Sequence, residues 1–546
     1  MIGALVSIIA VIFVQLVEAA NGVSAFDEYR YIEIGLFILD LQVIVLISLA
    51  ALCILFIRYW FNITRWHGPA DSIYAAHQDM EQLDLKTGLA STLAALASAV
   101  GNASVGQYGP LVHFGATAGS AIKKILNIKA STDIVIGCGV AAAISAGFDA
   151  PIAGIIFAHE AILRHYSPSA MTPIATSSIV ATTVNNYLFD TPHQLALTGT
   201  TPSLMEALIP VVISGIVFGF IAILFMNCLR FFAMINNTTN QPIYRSLCVA
   251  VLAVIGVSIF MPEALGLGTR TLAGLLQTDN SFAFALSLLV GKIFITSICL
   301  GFGFFGGVFS PSLLIGASTG VILAKLFSIL GFENLSVSLA LAGMASVAAC
   351  VIGAPLATIF IVLELTLSYN FTLITLLAVI VSQVISSNLF GNSFFDKQLL
   401  DRDIDLQFGR SQLDLEQKKV CEWHHADYVS AKAQWTAKKL LEKLKDKQQT
   451  EAYCITDEGI LEGKINVISL LDCSEDTILK EIMDTNPISL FTDDTMVQAI
   501  KIASNFVGES IPVLHPETSK MVGIVTESDL FTAYLDVQNR VHNVEK

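Results

Sequence analysis

The chain has 546 residues, 54 % of them hydrophobic, and a mean hydropathy of +0.68, too apolar for a soluble protein of that length, so most of it belongs in lipid. Its formal net charge of −15 divides into −5 before Asp401 and −10 from there to the end, the pattern of a membrane unit followed by a soluble domain. An acidic tail leaves no footprint for nucleic acid, and nine cysteines scattered singly, with no Cys-x-x-Cys pair and no His cluster at metal-ligand spacing, argue against a metal centre.

Taken in chain order, the first apolar run covers 4–17. No Lys or Arg precedes it, which favours a retained membrane helix over a cleaved signal segment. Runs at 35–61, 207–233 and 373–390 are also long enough to cross a bilayer. Shorter runs at 88–100, 132–147, 152–163, 283–300, 312–330 and 335–350 carry Gly, Pro, Ser and Thr. That pattern predicts re-entrant or broken helices packed inside protein, where irregular backbone is tolerated at membrane depth. Most cysteines fall in these runs as inert buried thiols, and Cys421, Cys454 and Cys473 in the tail point to a reducing compartment.

Two patterns each occur twice, in the same order. Pro110-x-x-x-x-Gly115-Ala116-Thr117-x-Gly119 returns as Pro311-x-x-x-x-Gly316-Ala317-Ser318-x-Gly320. Ala150-Pro151-x-Ala153-x-Ile155 with Glu160 returns as Ala354-Pro355-x-Ala357-x-Ile359 with Glu364. An internal repeat in an apolar chain is the mark of a transporter-like fold with its site at the repeat interface. Pro110 and Pro311 each follow a glycine-rich stretch and precede a helical pattern. Each therefore starts a helix whose free N–H groups and partial positive charge suit an anion. Neither loop contains Lys or Arg, which suits an anion that must leave again.

At these residues the chain resembles the CLC chloride channel/transporter family. Gly106-Gln107-Tyr108-Gly109-Pro110 stands where that family has Gly-[Lys/Arg]-Glu-Gly-Pro, and Gly306-Gly307-Val308-Phe309-Ser310-Pro311 is similar to its Gly-Gly-x-Phe-x-Pro signature. Ala150-Pro151 and Ala354-Pro355 match its two Ala-Pro helices, and His67-Gly68-Pro69-Ala70-Asp71 is a weaker counterpart of its Gly-Ser-Gly-Ile-Pro loop. The resemblance covers about residues 1 to 400. It implies an all-α polytopic membrane fold of inverted repeats (about 1–190 and 205–400), a homodimer with one pore per subunit, and cytoplasmic termini. The anion pathway it implies runs past Gln107, Tyr108, Gly109, Gly307, Val308 and Phe309, with His67 at the family's serine position and Phe395 at its pore tyrosine.

Several of these positions depart from the family. Its gating glutamate is Tyr108 here, a phenol that is neutral at physiological pH and neither mimics a bound anion nor shuttles protons well. It can still donate a hydrogen bond to a halide or stand in the pore as a plug. The exchangers' second, proton-feeding glutamate aligns with Ala161, one place after Glu160. Because Glu160 is matched by Glu364, it reads as structural. Halide selectivity does not carry over, since His67 and Phe395 replace two hydroxyl donors.

A linker (401–426) leads to two α/β units, about 427–475 and 480–540. The first shows an amphipathic helix over Ala431–Lys447, a strand-like Glu451–Thr456 and Gly463–Val467. In the second, Met483 to Pro487, a helical stretch through Ala499 to Phe506, Ile511–Val513 and Gly523–Asp529 resemble a CBS domain. CBS pairs are soluble and often regulatory. The resemblance makes Thr526 and Asp529 candidate contacts for an adenine nucleotide, with Asn466 and Ser469 in the equivalent places of a degraded half-site. The alternative is a structural dimerisation module with Thr526 as a helix N-cap. No cofactor is required.

The expected function is a passive anion pathway, most simply a chloride channel, in a bacterial inner membrane with the tail in the cytoplasm. No Walker loop or nucleophile motif suggests an enzyme. The rival is a secondary active proton/anion antiporter with a relay through His67, His113 or His159. A non-transporting sensor, sealed by Tyr108, is the third reading.

Overall fold

The computed structural model describes residues 1–22, 31–34, 37–78, 83–189, 202–239, 241–277, 280–406, 415–416 and 418–545. Most of the expected junction of the repeats at 190–205, and residues 407–414 and 417 of the expected linker, lie outside them. The chain forms two compact units, Met1–Ile404 and Asp405–Lys546.

In the first unit, α1 (Ile2–Gly22) is followed by a hairpin of β1 (Tyr31–Ile34) and β2 (Phe37–Asp40), then α2 (Leu41–Trp60) and α3 (Pro69–Ala76). After these come α4 (Leu85–Val100), α5 (Tyr108–Leu126), α6 (Thr132–Phe148), α7 (Pro151–Phe157) and α8 (Pro168–Phe189). The second half holds α9 (Leu204–Thr239), α10 (Ile243–Phe260), α11 (Thr269–Gln277), α12 (Phe282–Gly301) and α13 (Phe309–Ile329). It ends with α14 (Ser336–Ile352), α15 (Pro355–Thr366), α16 (Tyr369–Leu389) and α17 (Phe394–Leu400).

Among the described residues seven helical segments are long and apolar enough to span a bilayer. α12 and α13, read from their Gly, Ser and Thr as interrupted, are continuous helices of 20 and 21 residues. Their small residues sit against neighbouring helices; in α13 the serine and threonine hydroxyls mostly bond back to helix carbonyls. α10 is a further spanning-length helix that the run lengths did not single out. The run 35–61 is divided at Asp40, whose carboxylate accepts from Gln42 N–H (2.9 Å) and starts α2 after the hairpin.

The repeated glycines are where α5 meets α6 and α13 meets α14. A Cβ on Gly115 would lie 2.3 Å from Gly139 O, and one on Gly316 would lie 2.0 Å from Gly343 O. One turn on, Gly119 and Gly320 meet Val135 O and Leu339 O at 2.2 and 2.0 Å in the same sense. Backbone lies against backbone in both halves.

The two Ala-Pro helices exchange caps. Glu160 accepts from the N–H groups of Leu356 (3.0 Å) and Ala357 (2.8 Å) at the start of α15. Glu364 accepts from Ile152 (2.9 Å) and Ala153 (2.8 Å) at the start of α7. Proline at the first position of each helix has no N–H, so the carboxylate reaches the next two donors. Each bond carries a full negative charge to a helix N-terminus. Glu160→Ala and Glu364→Ala are therefore each expected to cost about 2–4 kcal/mol and to lower the melting temperature in detergent by similar amounts. Unchanged melting in either variant would contradict the exchange.

The tail unit repeats a β-α-β-β order. Its first sheet is β3 (Val429–Ala431), β4 (Glu451–Ile455) and β5 (Leu461–Asn466), and its second β6 (Leu490–Phe491), β7 (Ser510–Leu514) and β8 (Met521–Thr526). The first pair of each sheet is parallel and the second antiparallel. The first amphipathic helix begins at Ala437, after Thr436, and Ala431 belongs to β3 because its side chain joins the core of that sheet.

Candidate functional site

The loops before α5 and α13 are joined directly. Gly106 N–H donates to Gly307 O and Gly307 N–H to Gly106 O, both at 2.6 Å. A Cβ on Gly109 would lie 2.9 Å from Gly307 Cα, so side chains are excluded where the loops cross. Gly307 spends its N–H in this pair and shapes the site without offering that donor. The N–H groups of Tyr108, Gly109, Val308 and Phe309 meet no acceptor among the described residues. They form two adjacent helix starts with free donors, the arrangement that suits an anion.

Tyr108 is buried and packed. Its ring stacks on Phe148 (centroids 3.9 Å apart, 22° between planes) and meets Phe309 edge-on at 5.5 Å. Phe309 also packs on Phe148 (5.2 Å) and lies parallel to Phe157 at 6.3 Å. The phenol donates to Gly147 O at 3.3 Å. At this position the chain therefore has an aromatic cluster.

Two cavities flank it. One, of about 180 Å³, is bordered by Tyr108, Phe148, Gly268 and Ser310. The other, of about 220 Å³, is bordered by Trp66, Gly68, Gly307, Val308, Phe395 and Arg402. The first turn of α13 separates them, with Val308 on one side and Ser310 on the other. Gln107 is buried and borders neither cavity.

Phe395 borders the second cavity and His67 does not. Trp66 and Gly68 border the cavity, while the His67 N–H donates to Ser91 Oγ (3.0 Å) and its ring faces His113 at 5.9 Å. His113 Nδ1 contacts Ser72 Oγ at 2.8 Å. His159 has other neighbours, the His165 carbonyl at 3.0 Å and the Tyr166 ring at 5.3 Å. Ala161 lies buried in a π-helical turn, Ala158–Leu163, that continues α7.

Sequence reasoning missed Phe148, Ser310, Lys292 and Arg402. Ser310 was open to detection as the second of the two variable places of the Gly-Gly-x-Phe-x-Pro pattern. Lys292 was a lone cation inside an apolar run; fully buried, it donates to the carbonyls of Ala264 (3.0 Å) and Gly266 (2.8 Å). Arg402 shares Asp71 with Arg65 (2.9 and 2.7 Å), and Asp71 also accepts from Gly68 N–H.

In the tail, Asp529 Oδ2 accepts from Thr526 N–H (2.8 Å) and Thr526 Oγ1 (2.6 Å), while Thr526 Oγ1 accepts from Asp529 N–H (3.3 Å). That is a reciprocal cap on the last helix, Glu527–Glu545. Asn466 caps Val467–Leu471 in the equivalent place, through Ser469 N–H at 2.8 Å. A polar network ties the two sheets: Glu451 pairs with Lys464 (2.8 Å) and accepts from Ser510 N–H (3.0 Å), and the Tyr453 hydroxyl meets Ser510 Oγ at 2.7 Å.

Fold and site together define a multi-pass membrane protein of the anion-transporting class. The family model for the voltage gated chloride channel matches residues 48–387, and that for the CBS domain matches 479–536. The voltage-gated ClC-type chloride channel ClcB of Salmonella typhimurium is 27 % identical over 386 residues, covering 70 % of this chain and 89 % of that protein. A slow cyanobacterial Cl−/H+ antiporter superposes with a TM-score of 0.64 at 20 % identity, over 74 % of this chain and 96 % of the other. A eukaryotic CLC transporter superposes at 0.60 and 18 % identity over 97 % of both chains. The chain belongs to the voltage gated chloride channel (CLC) family and carries a C-terminal CBS pair.

Proposed function

We propose that this protein is a passive anion pathway, most simply a chloride channel, in which anion movement is not coupled to protons. The observation that carries the reading is Tyr108: an uncharged ring stacked on Phe148 and Phe309 occupies the family's glutamate position. Ala161 at the second glutamate position supports it, and so does the use of Glu160 as a helix cap. The anion would pass the free N–H groups at Tyr108, Gly109, Val308 and Phe309 and leave past Phe395. The ClcB resemblance suggests a bacterial inner membrane, and the family resemblance a homodimer with the tail in the cytoplasm.

An antiporter is the second reading, favoured by the contact of His67 with His113 and of His113 with Ser72. In the tail we read Thr526 and Asp529 as a helix cap and the CBS pair as needing no nucleotide; a thermal shift of the full chain with ATP or AMP would overturn that. For the pathway itself, purified protein in liposomes should release chloride on addition of valinomycin faster than protein-free liposomes do. Release at the protein-free rate would contradict it.

A further inference from the structure

We propose that Ser310 supplies a side-chain hydroxyl to an anion held in the cavity beside Tyr108, and that it is a specificity-determining residue of the pathway. The inference rests on the anion-pathway reading and adds to it a ligand that is not backbone.

Five hydroxyl side chains lie on α13. Four of them bond back to helix carbonyls: Ser312 to Phe309 (2.6 Å), Ser318 to Leu314 (2.8 Å), Thr319 to Ile315 (2.8 Å) and Ser328 to Lys325 (2.8 Å). Ser310 is the exception. It is 4 % exposed, its Oγ is shielded from solvent, and it has no hydrogen-bond partner among the described residues. A buried hydroxyl left unpaired is costly, so a group that accepts its proton is strongly favoured there.

The surroundings say what that acceptor is. Ser310 borders the 180 Å³ cavity. It stands in the first turn of a 21-residue helix, where the partial positive charge of the helix start favours an anion, while Val308 borders the other cavity. In the cavity beside Tyr108 the Ser310 hydroxyl is a buried donor with no acceptor among the described residues, which favours an anion. Leu313, Met344 and Ile361 make much of the remaining wall, and a low dielectric strengthens a hydroxyl-to-anion bond. Across the cavity Gly268 forms a thin wall: a Cβ there would lie 3.4 Å from Lys292 Nζ. Of the cavity's other two hydroxyl side chains, that of Tyr108 is directed to Gly147 O and Thr269 is exposed. The ligand class is a small monovalent anion such as a halide. Ser310 thus restores one of the hydroxyl donors that His67 and Phe395 do not supply.

The test uses the full-length protein, with chloride binding measured by titration calorimetry in detergent and half-saturating chloride measured from liposome efflux. Threonine and valine have the same shape, so a packing effect moves both alike. Ser310→Val and Ser310→Ala are expected to weaken chloride about 5- to 20-fold, with Ser310→Thr within about twofold of wild type. Equal binding by the Thr and Val variants, wild-type affinity in Ser310→Ala, or no chloride binding by the wild type would overturn the proposal. If Ser310→Val fails to fold by its melting profile, Ser310→Ala against Ser310→Thr makes the same comparison. Proton movement accompanying chloride would sink the passive reading alone, because the Thr–Ala difference in binding would stand.

Discussion

Tyr108→Ala is expected to raise chloride efflux about 30- to 700-fold over wild type. To let an anion past, the Tyr108 ring must leave its stack on Phe148, its edge contact with Phe309 and its hydrogen bond to Gly147 O. Each aromatic pair is worth about 0.5–1.5 kcal/mol and the hydrogen bond about 1 kcal/mol, so wild-type opening costs about 2–4 kcal/mol that alanine does not. A barrier lowered by about 1.4 kcal/mol is a factor of ten in rate. Efflux assays with both proteins at matched density decide it. Equal rates above background would mean that Tyr108 lines the path without obstructing it. Rates at background in both would favour the non-transporting sensor.

The second large effect is on assembly. Gly316→Ala and Gly115→Ala are each expected to cost about 4 kcal/mol or more, enough to abolish a monodisperse peak in detergent. The added carbon would lie 2.0 Å from Gly343 O or 2.3 Å from Gly139 O, and these are backbone atoms that cannot step aside. The helices would have to part, giving up the close packing on which association in lipid depends. Gly256→Ala and Gly274→Ala are the controls: nothing lies within 4 Å of a Cβ there, and yield and melting should hold. Normal assembly of Gly316→Ala would show that the α13–α14 contact is looser than described.

These two results draw on what was most and least legible in the sequence. The glycine positions were legible because two copies of one spacing constrain the same helix crossing twice. The equivalence of Glu160 and Glu364 was legible for the same reason, although the exchange of caps between halves was not. Nothing in a linear pattern says whether a carboxylate reaches its own helix or the one 196 residues on. Tyr108 was legible as a replacement, but its packing was not, since Phe148 and Phe309 come from different repeats. His67 lies outside the cavity that its neighbours Trp66 and Gly68 border, an arrangement no linear pattern shows. The second strand of the hairpin, β2, was hidden at the start of an apolar run, because short apolar strands and buried helix have the same composition.

The most direct measurement is of proton movement in sealed proteoliposomes that hold a chloride gradient, with the voltage clamped by valinomycin and potassium. The passive reading predicts chloride efflux with no proton uptake beyond that of protein-free vesicles, in wild type and in Tyr108→Ala alike. Proton uptake against its own gradient, driven by chloride efflux, would contradict it and make His67 and His113 the residues to replace next.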